Sequence, residues 1–307
     1  MPLHPKLQAM LDKVAGAPPL HTVPVAAIRA TDNARYDLGV PKDEVASAQD
    51  RHIPGPRGDI RIRVYRPNMG GKRPVVMFFH GSGFVICSVD THDAMCRQIC
   101  NRSGAVVVSV DYRLAPENKF PAAPDDCFAA TQWAAEHAAE FGGDPARLAV
   151  CGDSVGGTMA AVTALRARDA GGPHIAAQVL LYPVTDYYSV ERPSYVQRGT
   201  GCGLTRDAMR WFWDLYLAFP QDGAHPHASP IRAASLAGLP RAYVITAEYD
   251  LLRDEGDDYA KRLGQAGVPV DHVRYDDMNH GFLNWVGLVD RSSQAMDATC
   301  AWLRKNL

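Results

Sequence analysis

The spacing of apolar and polar residues changes along the chain and predicts two kinds of strand. Residues 60–65 alternate apolar and polar side chains with a period of two, as a strand with one solvated face does. Four later runs are short and largely apolar, which is typical of parallel strands covered on both faces. These four runs are 75–79, 105–108, 148–151 and 178–181, and residues 243–246 and 270–273 continue the series.

Segments with helical spacing lie between these strands. They are 91–101, 124–140, 155–168, 254–265 and 292–303. Because strands that alternate with helices form βαβ units, the sequence predicts an α/β fold with a mostly parallel central sheet flanked by helices. Leu7, Met10, Leu11 and Val14 recur at helical spacing and predict an amphipathic helix near the N-terminus.

Two segments fall outside the alternating pattern, and we expect them to form a helical cap. Residues 186–239 separate two predicted strands and contain an aromatic helix candidate, 205–219. Residues 1–45 contain the N-terminal helix. We expect the main α/β domain to comprise 46–185 and 240–307. Since aromatic stripes on helices usually pack into a core, we expect most cap aromatics to pack against each other and fewer to contact a ligand.

Composition narrows the classes of protein to consider. The chain has 307 residues, and 47% of them are hydrophobic. Its 32 basic and 34 acidic side chains leave no excess positive charge to bind phosphate groups, so we do not expect nucleic acid as a partner. Its apolar runs are too short to span a membrane, and residues 1–20 contain no apolar core of signal-peptide length. Seven cysteines without a CxxC pair favour reduced thiols, so we expect a cytoplasmic location.

The strongest local signal for chemistry is Gly152-Asp153-Ser154-Val155-Gly156, a GxSxG sequence between a predicted strand and a predicted helix. A sharp turn there holds the serine in a strained conformation and presents its hydroxyl at the carboxyl end of the sheet. The alternative is a serine that only caps the following helix. We predict that Ser154 is a nucleophile.

A serine nucleophile needs a base and a carboxylate that orients the base. Asp250 and His280 each follow a predicted strand, and the chain order Ser, Asp, His is that of α/β hydrolases. Asp254 and Glu255 are alternatives to Asp250 as the orienting carboxylate. They begin a predicted helix, however, and the helix dipole favours acidic residues there, so their position does not require a catalytic role.

Other histidines offer weaker alternatives to His280 as the base. His225 and His227 lie in a proline-containing loop of the predicted cap, and His272 lies inside a strand. Without HExxH or a nearby thiol, His225 and His227 give little support to a metal site, so we expect neither metal nor cofactor.

A third element, His80-Gly81-Ser82-Gly83-Phe84, follows the strand at 75–79. Backbone N–H groups in a glycine-rich turn at this place can stabilise the negative oxygen that develops in acyl transfer. Val155, beside the nucleophile, supplies another N–H group. The alternative is a glycine-rich turn without a ligand.

Taken together, the motifs resemble those of the bacterial hormone-sensitive-lipase-like carboxylesterases, a branch of the α/β-hydrolase superfamily. Seven blocks in order carry the resemblance and run through most of the chain. They are the 80–84 turn, DYRLAPE at 111–117, FPAA at 120–123, GDSVGG at 152–157, YPVTD at 182–186, DLLRDEG at 250–256 and HGF at 280–282.

The resemblance implies a serine carboxylesterase that cleaves short- to medium-chain esters with no cofactor. It implies a catalytic triad of Ser154, Asp250 and His280. The oxyanion hole would use the N–H groups of Ser82, Gly83 and Val155, and His80 and Gly81 would support that turn. It also implies a homodimer formed through the edge strand near 270–275.

The chain departs from the family's usual HGGG, GDSAGG and DPLRDEG at Ser82, Val155 and Leu251. Serine keeps the N–H group of glycine but does not readily adopt a positive φ, so Ser82 bears on the geometry of the oxyanion hole. Val155 adds bulk beside the acyl site, and we expect it to narrow the range of acyl groups.

Two other functions remain open on the sequence. An amidase or arylformamidase would use the same fold and triad but would require His280 to protonate a leaving amine. A small-molecule receptor, like the plant gibberellin receptors of this fold, would lack the catalytic histidine. The presence of His280 argues against a receptor.

Overall fold

One eight-stranded sheet forms the centre of the protein. The computed structural model describes residues 1–36, 39–188 and 191–307. The strands lie in the order β1-β2-β4-β3-β5-β6-β7-β8, and β2 runs antiparallel to both of its neighbours while the strands from β4 to β8 are parallel. The strands are β1 (Ser47–Gly55), β2 (Gly58–Arg66), β3 (Arg73–Phe79), β4 (Val106–Val110), β5 (Gly143–Asp153), β6 (Ala177–Leu181), β7 (Arg241–Tyr249) and β8 (Val270–Asn279).

Helices connect the strands and cover the sheet. The described helices are α1 (Pro5–Val14), α2 (Val25–Tyr36), α3 (Asp93–Ser103), α4 (Ala122–His137), α5 (Val155–Ala170), α6 (Pro193–Gln197), α7 (Arg206–Tyr216), α8 (Arg253–Gln265) and α9 (Asp290–Asn306). The mostly parallel sheet flanked by helices is therefore confirmed.

Strand β3 illustrates why the central strands are continuously apolar. Val75, Met77 and Phe79 face one hydrophobic core, and the alternate residues Val76 and Phe78 face a second core on the other side of the sheet. All five are fully buried. Both faces of the strand are thus removed from water, and no polar position is required.

The sequence did not predict β1, α2 or α6. Strand β1 pairs with β2 at the edge of the sheet and contains Asp50, Arg51 and Pro54, so its composition lacks the usual strand signal. Helix α2 has little apolar contrast between its faces, and among its side chains up to residue 32, whose burial is described, Ile28 is the buried apolar one. Tertiary packing determines these elements.

The predicted segment 186–239 lies between β6 and β7 and includes α6 and α7. Residues 37–38 and 189–190, which fall inside the two predicted cap segments, lie outside the described residues. In the parts of the chain that are described, no helix is long and apolar enough to span a lipid bilayer.

Candidate active site

Four predicted site residues lie directly after strands at the same edge of the sheet. His80 follows β3, Ser154 follows β5, Asp250 follows β7 and His280 follows β8. These strands are parallel, so their carboxyl ends converge on one side of the molecule. In open α/β sheets this edge is where ligands bind.

Ser154 lies at a sharp turn between β5 and α5. Its backbone has φ 55° and ψ −122°, an unfavourable conformation for a residue with a side chain, costing about 1–3 kcal/mol. The Ser154 N–H donates to the Leu181 carbonyl at 2.8 Å, and its own carbonyl accepts from the Val184 N–H at 3.2 Å. These bonds to residues at and beyond the end of β6 hold the strained turn in place.

The glycines on either side of Ser154 allow this turn to form. A Cβ atom on Gly156 would lie 1.8 Å from the Phe79 carbonyl oxygen, and one on Gly152 would lie 2.2 Å from the Gly156 carbonyl oxygen. Both distances are far below van der Waals contact. The two glycines of the GxSxG sequence are therefore required by the close approach of three backbone segments.

The side chains of Ser154, His280 and Asp250 form a continuous chain of hydrogen bonds. The His280 Nδ1 atom lies 2.7 Å from Asp250 Oδ2, and His280 Nε2 lies 2.9 Å from Ser154 Oγ. A carboxylate only accepts, so Nδ1 carries the proton and the lone pair of Nε2 faces the serine hydroxyl. In this tautomer, Ser154 donates to His280 and can lose its proton to it.

Burial and a backbone bond fix the carboxylate of this chain. Asp250 is 1% exposed, and its second oxygen, Oδ1, accepts from the Leu252 N–H at 2.9 Å. His280 remains 14% exposed in its side chain. The Asp250 carboxylate is thus held in place, while part of the His280 ring remains accessible.

The competing acids have other partners. Asp254 Oδ2 accepts from the Ser194 N–H at 2.7 Å, and Glu255 accepts from the Thr185 N–H at 2.8 Å and from the Tyr195 hydroxyl at 3.1 Å. The partners of both acids lie in the part of the chain that follows β6. The structure therefore brings Asp250, and neither Asp254 nor Glu255, to His280.

The alternative histidines also lie away from Ser154. His272 Nε2 contacts Asp257 Oδ1 at 3.0 Å, and His225 Nδ1 accepts from the His227 N–H at 3.0 Å. No three His, Cys, Asp or Glu side chains in the described ranges are arranged to hold a metal ion.

The turn at 80–84 has two N–H groups that are already in use. The Gly81 N–H donates to Asp153 Oδ1 at 2.7 Å, and the Phe84 N–H donates to Ser82 Oγ at 2.9 Å. Within the described chain, the N–H groups of Ser82 and Gly83 donate to no protein acceptor. These are two of the three N–H groups that the family resemblance assigns to an oxyanion hole, the third being that of Val155.

The replacement of glycine by Ser82 creates no conformational conflict. Positive φ angles occur at Gly83 (54°) and at Phe84 (68°), while Ser82 is outside the set of positive-φ residues. A Cβ atom at Ser82 therefore costs no left-handed strain. The concern raised by the sequence departure applies instead to Phe84, which is the side-chain-bearing residue in a left-handed conformation.

Asp153, the residue before Ser154, binds the 80–84 turn through its side chain. It is buried, and its Oδ1 atom lies 3.4 Å from His92 Nε2 in addition to its bond with Gly81. Burial raises the pKa of the Asp153 carboxyl, but His92 and the Gly81 N–H outweigh burial and keep this pKa below its usual value. Asp153 thus remains a carboxylate that ties the 80–84 turn to β5.

His80 is a buried, neutral neighbour of this pair. Burial, aided by the proximity of His92, lowers the pKa of His80 to about 3. Its ring stacks on Tyr112 with centroids 4.4 Å apart. The side chain thus supports the turn by packing, as a neutral imidazole.

Helix α7 covers the turn with aromatic side chains. A Cβ atom on Gly83 would lie 2.5 Å from the Phe212 ring, and the Phe84 ring stacks on Tyr216 with centroids 3.8 Å apart. Tyr216 is fully buried and Phe212 is 4% exposed. Most of this aromatic stripe packs as predicted, but Phe212 lies directly against Gly83.

Sequence reasoning gave no role to Asp153, His92, Tyr112 or Phe212 at this site. Asp153 and Tyr112 stand inside motifs that were recognised, so their presence in those blocks was the available signal. His92 and Phe212 gave no sequence signal of this kind, because their partners in the turn are far away in the chain.

The chain is similar to known hydrolases in sequence and in fold. Residues 76–284 match a protein family described as alpha/beta hydrolase fold. That span includes the end of β3, all of β4 to β8 and all four strand ends of the candidate site.

Two curated proteins of Mycobacterium tuberculosis are similar in sequence. One, carboxylic ester hydrolase LipN, is 45% identical over 84% of this chain and 70% of its own length. The other, esterase LipI, is 42% identical over 98% of this chain and 95% of its own length. Among solved structures, a hyperthermophilic esterase from the archaeon Pyrobaculum calidifontis has a TM-score of 0.96 and 42% identity, and 99% of each chain is covered.

Proposed function

The chain belongs to the α/β-hydrolase-fold family, and from that premise we propose that it is a serine carboxylesterase that cleaves short- to medium-chain carboxylic esters through an acyl-enzyme intermediate. The observation that carries this proposal is the hydrogen-bonded chain from Ser154 through His280 to Asp250. Its setting in the hormone-sensitive-lipase-like motifs and the named esterase relatives support the same conclusion.

In the acylation step, Ser154 Oγ attacks the ester carbonyl carbon while its proton passes to His280 Nε2. The buried Asp250 carboxylate stabilises the resulting imidazolium, which donates its Nε2 proton to the leaving alkoxide as the bond between carbonyl carbon and ester oxygen breaks. An alcohol leaves, and the acyl group stays on Ser154.

The carbonyl oxygen carries a negative charge in the tetrahedral intermediate. The N–H groups of Ser82, Gly83 and Val155 are the proposed donors to it, and a single such donor is typically worth about 10²–10³ in kcat. Val155 begins α5, so the positive end of that helix dipole adds to the stabilisation.

Deacylation repeats these roles with water as the nucleophile. His280 Nε2 takes a proton from the water that attacks the acyl carbon, and then returns it to Ser154 Oγ as the carboxylic acid is released. The serine hydroxyl is regenerated, so the reaction consumes only ester and water and requires no cofactor.

The proposal includes a cap and a cellular location. We propose that residues 1–45 and 186–239 form the cap over a catalytic domain of 46–185 and 240–307; the contacts of α7 with the 80–84 turn support this. Since the cysteines are thiols and six of the seven are buried, a reducing cytoplasm suits the chain.

Hydrolysis of p-nitrophenyl esters from acetate to palmitate tests the activity. The expected profile peaks at short to medium chains, and Ser154→Ala should lower kcat by about 10⁴ or more. Val155→Ala should extend the profile to longer acyl chains because it removes bulk beside the nucleophile. Near-normal turnover by Ser154→Ala would refute the proposal, and faster cleavage of a matched anilide than of the ester would favour an amidase.

We further propose a homodimer formed through β8. This strand is at the end of the sheet, so one edge of its backbone has no strand beside it in the described chain. Sedimentation equilibrium should give twice the monomer mass, and Val273→Pro should shift the protein toward monomer. A monomer at micromolar wild-type concentrations would contradict this assembly.

A further inference from the structure

Ser82 and Tyr112 lie on a short chain of buried hydrogen bonds behind the 80–84 turn. The Phe84 N–H donates to Ser82 Oγ at 2.9 Å, Ser82 Oγ lies 2.7 Å from the Tyr112 hydroxyl, and that hydroxyl donates to the His80 carbonyl at 2.6 Å. Ser82 is 4% and Tyr112 2% exposed. Water therefore does not compete for these bonds.

The direction of every proton in this chain follows from its two ends. A backbone carbonyl only accepts, so the single Tyr112 proton is committed to His80. The Tyr112 oxygen must then accept from Ser82, whose own oxygen accepts from the Phe84 N–H. The result is one ordered sequence of donors: Phe84 to Ser82, Ser82 to Tyr112, and Tyr112 to His80.

We propose that this ordered chain positions the oxyanion hole, with Ser82 and Tyr112 as its positioning residues; the inference rests on the proposed esterase function. The hydrogen-bonded chain closes the 80–84 turn, because it links the His80 carbonyl to the Phe84 N–H. Between these two ends lie the N–H groups of Ser82 and Gly83, which would face the oxyanion.

The strained backbone of Phe84 explains why the 80–84 turn needs these hydrogen bonds. Phe84 has φ 68°, a left-handed conformation that costs a non-glycine residue about 1–2 kcal/mol. The bond from its N–H to Ser82 Oγ offsets part of that cost. Glycine, the family's usual residue at position 82, has no side-chain acceptor. The hydrogen bond from the Phe84 N–H therefore depends on the serine at position 82 in this sequence.

We expect the hydrogen-bonded chain to contribute more to stabilising the transition state than to substrate binding. Its loss lets the Ser82 and Gly83 N–H groups move away from the developing oxyanion, whereas the neutral ester carbonyl depends less on them. We therefore expect Ser82→Ala to lower kcat about ten- to a hundredfold while KM changes less than about twofold.

The experiment compares Ser82→Ala, Ser82→Gly, Tyr112→Phe and the double variant S82A/Y112F. For each, kcat and KM are measured with p-nitrophenyl butyrate, along with the inhibition constant of a trifluoromethyl ketone, which forms a tetrahedral adduct with serine. That constant should rise by the factor by which kcat/KM falls. The double variant should lose no more than the worse single variant, because the residues act as a unit.

A matched control removes a buried tyrosine hydroxyl elsewhere. The Tyr65 hydroxyl on β2 donates to Asp93 Oδ1 at 3.0 Å, outside the proposed site. Tyr65→Phe should keep kcat within about twofold of the wild type. Thermal melting of each variant identifies any that is unfolded. If Ser82→Ala is unfolded, Ser82→Gly, which carries the family's usual residue, is compared with the wild type in its place.

The outcomes separate this inference from the proposed function. If Ser154→Ala is inactive but folded Ser82→Ala or Ser82→Gly has wild-type kcat and inhibitor affinity, the positioning role is wrong and the esterase stands. Additive losses in the double variant, or an equal loss in Tyr65→Phe, would also overturn it. If Ser154→Ala stays active, the proposed function itself fails.

Discussion

At the residue scale, Ser154 and Thr205 show how the same helix position serves different purposes. Each stands immediately before a helix, and Thr205 Oγ1 caps α7 by accepting from the Ala208 N–H at 3.2 Å. Ser154 makes no side-chain cap for α5, and its hydroxyl donates to His280 instead. The alternative of a capping serine is therefore excluded by its hydrogen-bond partner.

Asp250 and Asp254 offer a matched pair for testing the orienting carboxylate. Asp250→Asn should lower kcat about 10⁴-fold, because an amide at this position favours the wrong tautomer of His280. Asp254→Asn leaves the Asp250 carboxylate untouched and keeps an oxygen that can accept from the Ser194 N–H, so it should retain kcat within about threefold. Ester hydrolysis measures both, and a similar loss in the two variants would argue against the assignment of Asp250.

At the element scale, the connection from β5 to α5 depends on backbones that approach closely. Gly156 passes the end of β3, where a Cβ atom would meet the Phe79 carbonyl oxygen. Gly264 in α8 has nothing within 4 Å of such an atom and has no positive φ. Two glycines in helices thus differ in what a methyl group would encounter.

Alanine substitution at these two glycines should change stability in opposite directions. Gly156→Ala should lower the free energy of unfolding by about 1–3 kcal/mol or more through overpacking. Gly264→Ala should raise it by about 0.5–1 kcal/mol, since alanine loses less backbone entropy in a helix. Urea denaturation measures both values, and equal effects would contradict the close approach at the turn.

At the scale of the whole molecule, Glu255 joins α8 to the segment that follows β6, which includes part of the predicted cap. Its side chain starts from α8 and accepts from the Thr185 N–H and the Tyr195 hydroxyl. Burial raises the pKa of Glu255 to about 8, although the hydrogen bonds it accepts from the backbone favour the carboxylate. Burial is the larger effect, and the nearby Asp186 acts in the same direction.

The raised pKa makes stability depend on pH. The unfolded chain loses the Glu255 proton near pH 4.5, whereas the folded chain keeps it up to about pH 8. The contribution of this group is therefore complete below pH 4.5 and is lost progressively as pH rises to about 8. Melting temperatures of wild type and Glu255→Gln between pH 5 and 8 should show a steeper decline for wild type. Parallel profiles would contradict this account.

The sequence anticipated most of the sheet and the residues that follow its parallel strands for physical reasons. Strands that are buried over most of their length, such as β3 and β4, are apolar at almost every position, so their pattern is local and visible. Edge strand β1 and helix α2 were missed because β1 and the part of α2 whose side chains are described bury few side chains. The position of Phe212 against Gly83 gave no signal, since it depends on how α7 packs over the turn.

The sequence by itself determined the order of the central strands and that Ser154, Asp250 and His280 each come after one of them, because apolar runs and the GxSxG turn are local patterns, and parallel strands must end at one edge. The last two strands run further than their predicted ends at 246 and 273, to Tyr249 and Asn279. The tertiary structure decided which of those residues meet. Asp250 and not Asp254 reaches His280, and Ser82 pairs with Tyr112, 30 residues away. Such contacts join distant segments, and their geometry is set only when helices and strands pack around a shared core.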